Sequence, residues 1–173
     1  MAGIVDEVRE HASLEAARYS PAHERPLGGY VRVIGAYSAA VGALSATVAL
    51  RKRGLPPRVA PSDLVLVAAA TAKLSRLLSR EPVTAPLRAP FTKLEHEHGG
   101  GNLVERARGD GLQRTLGELV TCPFCLSQWI ATGFTFGLLL APSATRQVAG
   151  TFTALELADL LQYGRAAAEK MSQ

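Results

Sequence analysis

The chain has two cysteines, both in the run Thr121-Cys122-Pro123-Phe124-Cys125. Thiols at this spacing can share one metal ion or close into a small disulfide ring. A helix starting at Pro123 would turn its free N–H groups towards them and favour the thiolate form. One such pair supplies half of a tetrahedral zinc site. His96 and His98 are candidates for the other half, because Gly99-Gly100-Gly101 would let the chain fold back. A cysteine pair from a second subunit would serve equally. The His-x-His spacing is tighter than that of usual zinc fingers. The bland alternative is two small, soft side chains packed near an interface, beside two solvated loop histidines. No βαβ pattern surrounds the cysteines, which weakens a thioredoxin-like reading. No Walker loop, Ser-His-Asp order or His-Glu-x-x-His run is present, so no catalytic residue is assigned. The cofactor is unknown, with zinc the candidate.

A second constellation consists of charges in apolar surroundings. Asp63, Lys73 and Arg76 are spaced like Arg146, Glu156 and Asp159, with every sign reversed. Charges within membrane helices are costly and normally find partners. The spacing predicts two parallel helices side by side. Lys73 would meet Glu156 and Arg76 would meet Asp159, with Asp63 near Arg146 as a weaker expectation at the wet end. The alternative is that the cations snorkel to an interface while the acids face a loop or another subunit.

These residues need membrane-spanning elements to position them. Residues 33–50 carry no charge and at about 1.5 Å per residue nearly cross a hydrocarbon core. Arg51-Lys52-Arg53 ends them. Pro56, Pro57 and Pro61 form a stiff connector, after which Ser62 or Asp63 would cap a helix over 64–79. That helix either spans or lies partly in the surface. Residues 119–145 are again uncharged, with Pro142 ending the helix, and 146–163 form a charged, marginal fourth one. The expectation is an all-α integral membrane protein. Its spans are about 31–50, 63–79, 118–141 and 146–163, with a long polar loop over 80–117. Residues 1–28 form a polar helix and linker, broken by Pro21, Pro26, Gly28 and Gly29, ahead of a membrane domain over 29–173.

Arg80, Arg88, Lys93, Arg106, Arg108 and Arg114 load the 80–117 loop with cations, so the positive-inside rule makes it and the C-terminus cytoplasmic. Arg51, Lys52, Arg53 and Arg58 on the opposing side work against four spans. If 63–79 does not cross, the 80–117 loop stays cytoplasmic and the N-terminus moves outside.

With 173 residues the chain makes one domain, 47% of it apolar. The net charge of +4 is read as topology-setting flanks rather than a nucleic-acid surface. Asp6, Glu7, Glu10 and Glu15 exclude a signal peptide at the N-terminus. Two cysteines do not make a secreted disulfide framework.

Residues 63–131 resemble a family of small bacterial integral membrane proteins of unknown function, some labelled sporulation proteins. The resemblance rests on three pieces. The first is Ala70-Thr71-Ala72-Lys73-Leu74-Ser75-Arg76-Leu77, with Lys73 where the family usually has Arg. The second is Pro86-Leu87-Arg88-Ala89-Pro90-Phe91. The third and most specific is Gly117-Glu118-Leu119-Val120-Thr121-Cys122-Pro123-Phe124-Cys125, followed by Trp129. Phe124 replaces the usual Trp, and Ser127-Gln128 a Gly-aromatic pair. The resemblance covers about half the chain and implies a membrane location, but no activity.

Three functions follow as expectations. The leading one is a non-enzymatic scaffold or accessory subunit of the cytoplasmic membrane. It would hold a partner on its cytoplasmic loop or assemble with itself through Gly35, Ala39, Gly42, Ala43 and Ala46. The others are a thiol or metal protein using Cys122 and Cys125, and an oligomeric transporter or channel component. The expected partners are the lipid bilayer and a second copy or membrane complex, not nucleic acid.

Overall fold

In a computed structural model, which describes residues 2–20, 27–51, 59–98 and 102–172, the chain is mostly helical. Helix α1 spans Ala2–Tyr19 and α2 spans Leu27–Leu50. Gly28 and Gly29 therefore lie inside a helix rather than in a break. Gly29 is tolerated because it packs against Thr115, where a Cβ would collide with the Thr115 hydroxyl. Pro21, Pro26, Pro56 and Pro57, expected in the connectors, lie outside the described residues.

Helix α3 covers Pro61–Arg80. Its N-cap is Ala60, and Pro61 takes the first helical position, where its missing N–H costs nothing. The expectation that Ser62 or Asp63 caps this helix is thereby corrected: Asp63 sits in the first turn and turns to Arg146.

The 80–117 segment is the principal correction. It is a folded cap rather than an open loop, and the chain is not all-α. A 3-10 turn at Pro82–Thr84 leads into the short helix α4, Ala85–Arg88. Strands β1, Thr92–His98, and β2, Asn102–Ala107, then pair antiparallel, with a bulge between Leu94 and His96. The hairpin returns to Phe91, whose carbonyl accepts from the Arg108 N–H at 2.9 Å. Gly109 and Gly111 adopt φ of +72° and +53°, conformations that glycine enters without Cβ strain, and turn the chain into α5, Gly111–Thr121.

A single helix over 118–141 is also corrected. The chain breaks at Cys122, whose φ of −101° and ψ of 104° are extended. Pro123 disfavours helical geometry in the residue before it and cannot donate a backbone hydrogen bond. Helix α6 then spans Pro123–Leu140 and α7 Pro142–Met171, longer than expected.

Contacts give the helix directions. Asp63, Leu66, Lys73 and Arg76 meet Arg146, Thr153, Asp159 and Tyr163 in that order, so α3 and α7 run parallel. Tyr30, Tyr37 and Arg51 likewise meet Glu118, Gln128 and Leu140, so α2 runs with α6. The end of α3 lies beside the start of α6, making those two antiparallel. Four long helices thus alternate in direction, and the cap, the start of α2 and the end of α7 share one end.

The distribution of polarity is inverted. Among the described residues the buried apolar side chains are Ala70, Phe134 and Ala149, whereas Thr71, Lys73, Ser75, Ser79, Arg88 and Thr115 are buried polar ones. Val31, Ile34, Leu64, Val65, Val148, Leu157 and Leu161 face outward. Among the described residues two helices, α2 and α6, are long and apolar enough to cross a membrane.

Candidate functional site

Three polar constellations stand out, two of them at the cap end and one running along α3 and α7. The first is the cysteine motif. Cys122 ends α5 and caps α6, its Sγ accepting the Cys125 N–H at 3.2 Å. Cys122 is half-buried and Cys125 exposed, and neither is in a disulfide. Both line a cavity of about 580 Å³ together with Tyr30, Tyr37, Glu118 and Trp129. Glu118 takes a short hydrogen bond from the Tyr30 hydroxyl and pairs with Arg114 at 3.4 Å. Tyr37 meets Thr132 and Gln128, each at 2.8 Å, and sets its ring edge-on to Trp129, centroids 5.1 Å apart. The motif therefore works first as a joint: it breaks one helix, caps the next and ties both to α2. Gly117 belongs to the same joint. A Cβ there would collide with the Phe91 carbonyl oxygen and come within 2.8 Å of the Ala107 Cβ. No other residue lets α5 lie so close to the hairpin.

His96 is exposed on β1, and His98 ends that strand with its side chain outside the described residues. Among the described residues no group of three or more His, Cys, Asp or Glu side chains is arranged to share a metal ion. Pairing of His96 with β2 holds it in the hairpin instead of on a flexible return loop.

The second constellation joins α3 to α7. Arg146 grips Asp63 with two bonds of 2.9 and 2.7 Å. Deeper in the helices Lys73, almost fully buried, binds Asp159 at 2.8 Å and Glu81 at 2.5 Å. Lys73 was expected to meet Glu156, and Arg76 to meet Asp159. Instead Arg76 meets the Tyr163 hydroxyl and ring, and also Asn102 at 3.4 Å. The separation between partners is 83 residues for Asp63 and Arg146, 86 for Lys73 and Asp159, and 87 for Arg76 and Tyr163. The partners on α7 therefore lie about one turn beyond those expected. Thr153, donating to the Leu66 carbonyl at 3.0 Å, sets this register, and the long Arg146 side chain bridges the difference at the start. Glu156 is left with one carboxylate oxygen buried and unbonded.

The third constellation centres on Arg88, which the sequence marks as a loop charge and as part of the family piece over 86–91 without giving it a partner. Arg88 is 1% exposed. Its Nε and Nη2 meet both Glu105 oxygens, at 3.0 and 2.9 Å. Its Nη1 donates to the Leu78 and Glu81 carbonyls and to Thr84 Oγ1. One guanidinium thus satisfies carbonyls at the end of α3, where positive charge also suits the helix dipole, and holds the hairpin through Glu105. Thr92 Oγ1 lies 2.8 Å from Glu105 Oε2. Burial alone would raise the Glu105 pKa, but the bonds from Arg88 and Thr92 and the Arg88 charge outweigh it. The carboxyl sits below its ordinary value. The signal available in the sequence was the length of 80–117, since loops of that size without structure are rare in folded domains.

A family model described as a protein of unknown function (DUF1360) matches residues 66–164. The chain belongs to this family. Sporulation protein YjcA of Bacillus subtilis (strain 168) is 33% identical over 89 residues, which cover 50% of this chain and 72% of that protein. No solved structure matches the chain. The DUF1360 region takes in most of α3, the cap, α5, α6 and most of α7. Lys73, Arg88, Glu105 and the cysteine motif all lie inside it, whereas α1, α2 and Asp63 lie before it.

Proposed function

We propose that the chain is a four-span protein of the cytoplasmic membrane, acting as a non-enzymatic scaffold or accessory subunit whose folded cap meets a partner in the cytoplasm. The observation that carries this reading is the inverted polarity of the helices. Apolar side chains point outward along all four, while Lys73 and its carboxylates are turned inward. Water would penalise that outer surface and hydrocarbon would favour it. The alternating directions of α2, α3, α6 and α7 suit four crossings, and mutual neutralisation lets the charged α3 and α7 stay in lipid. Cations on the cap favour the cytoplasmic side. The cap is folded, and Val83, Leu87 and Leu94 are exposed on it. Gly35, Ala39, Gly42, Ala43 and Ala46 face outward on α2, where a second copy would pack closely. The relative's name makes spore formation the process in which to seek a phenotype.

Impermeant maleimide labelling tests the topology. A Gly100→Cys variant lacking Cys122 and Cys125 is expected to stay unlabelled in intact cells and to label after lysis. Ready labelling in intact cells would reverse the orientation. Recovery of the protein in the soluble fraction after alkaline extraction would end the membrane reading.

A second reading uses the thiols. Cys122 and Cys125 are adjacent in a cavity that also holds Glu118, a setting for a shared metal ion or a redox pair. Metal analysis of undenatured protein, with thiol titration before and after chelation, separates the two. Metal-free protein with freely reactive thiols leaves the joint as the motif's role.

A further inference from the structure

A second cavity, of about 720 Å³, lies where the last turns of α3 meet the start of α6 and β2. Its wall is largely apolar, with Ala68, Ala72 and Phe124 contributing to it. Arg76 and Arg80 also line it. Neither guanidinium forms an ion pair among the described residues. The hydrogen-bond partners of Arg76 are the uncharged Tyr163 and Asn102; the carboxylates Glu81 and Asp159 contact Lys73 directly and attract Arg76 only from beyond ion-pair distance. Glu105 is likewise engaged, by Arg88. Thr71, 8% exposed, borders the same cavity, and its hydroxyl is buried without a hydrogen-bond partner. An unmet buried hydroxyl carries a desolvation penalty that a ligand oxygen would relieve.

Two guanidiniums that form no close ion pair among the described residues, beside an apolar wall, suit an anion with a hydrocarbon tail. A free phosphate would use the cations and leave the wall in water. A fatty chain without charge would make no use of the guanidiniums. We propose that this cavity holds one anionic phospholipid of the cytoplasmic leaflet. Arg76 and Arg80 bind its phosphate, Thr71 bonds a glycerol or ester oxygen, and an acyl chain lies along Ala68, Ala72 and Phe124. Phe124, 86% exposed, would then be covered by lipid. The proposal rests on the membrane reading above, which puts the end of α3 at headgroup depth.

The test uses the full chain, purified in dodecyl maltoside, with phosphatidylglycerol or phosphatidylcholine titrated in mixed micelles and retention read by native mass spectrometry. With roughly fivefold in affinity for each cation near an anionic group, phosphatidylglycerol should be held about twentyfold more tightly. Arg80→Gln should cost about fivefold of that preference. Ala72→Trp, which fills the cavity and keeps both charges, should abolish retention. Arg76→Gln also removes the contact with Tyr163, so the other two variants carry the test, each checked for an unchanged thermal midpoint. Equal retention of the two lipids, or full retention in Ala72→Trp, would overturn the site. So would displacement of the lipid by inorganic phosphate at matching concentration, which would make the ligand a soluble anion. Failure of the membrane reading shows separately, as extraction of the chain without detergent.

Discussion

Arg88 and Glu105, 17 residues apart, face each other as a two-point ion pair with bonds of 3.0 and 2.9 Å. Both side chains are nearly inaccessible, 2% and 6% exposed. The pair closes the cap: one end of it holds α3 and the other holds the hairpin. Removing one member strands the other charge in a poorly solvated site, which typically costs about 3–5 kcal/mol. Arg88→Ala and Glu105→Gln should therefore each lower the thermal midpoint in detergent strongly. The double variant should lose much less than the sum of the two. Additive losses would mean that the pair does not act as a unit.

The same pair sets an acid limit. The folded carboxyl of Glu105 lies below its ordinary value of 4.5. Its contribution is therefore fully present above that value and is lost as pH falls through the lower, folded value. The midpoint should hold steady near neutrality and drop on strong acidification. Glu105→Gln should flatten that drop. A variant as acid-sensitive as the parent would assign the acid limit to other carboxylates.

Lys73 distinguishes between two registers of α3 on α7. Its partners are Asp159 and Glu81, not Glu156. Lys73→Glu should reduce folded yield severely, because three acids then crowd one site. Adding Asp159→Lys should restore a good part of it, and adding Glu156→Lys should restore less. Monodisperse yield on fluorescence-detected gel filtration measures both, and a better rescue by Glu156→Lys would refute the register.

Gly117 is pressed against main-chain atoms, which cannot swing aside. Gly117→Ala should cost on the order of 1–3 kcal/mol by overpacking. Gly164, also helical, has nothing within 4 Å of an added Cβ. Gly164→Ala should be neutral or stabilising by up to about 1 kcal/mol. Comparable thermal midpoints for the two variants would show that α5 can move off the hairpin.

What the sequence alone determined is local. Uncharged runs mark helices because apolar side chains without competing charges favour them in lipid or in a core. Thus α2 and α6 were legible, and so were α3 and α7 from their spacing of charges. The matched charges also pointed to parallel neighbours. That spacing lacked the power to choose between partners one turn apart, since Glu156 and Asp159 share a face of α7. Contacts such as Thr153 with Leu66 decide the axial level, and these depend on how two surfaces fit.

Tertiary structure alone decided the cap. Strand β1 reads Thr-Lys-Leu-Glu-His-Glu-His, a charged run with little to mark it as a strand. It pairs because β2 packs on α5, Gly117 permits the close approach, and Glu105 is drawn inward by Arg88. Likewise the Cys-Pro-Phe-Cys spacing named the chemistry two thiols can do. Whether His96 joins them depends on distance through space, and strand pairing holds that residue in the hairpin. Local spacing specifies which helices form, while buried charges, which are stable only when paired, specify how the helices and the cap are joined.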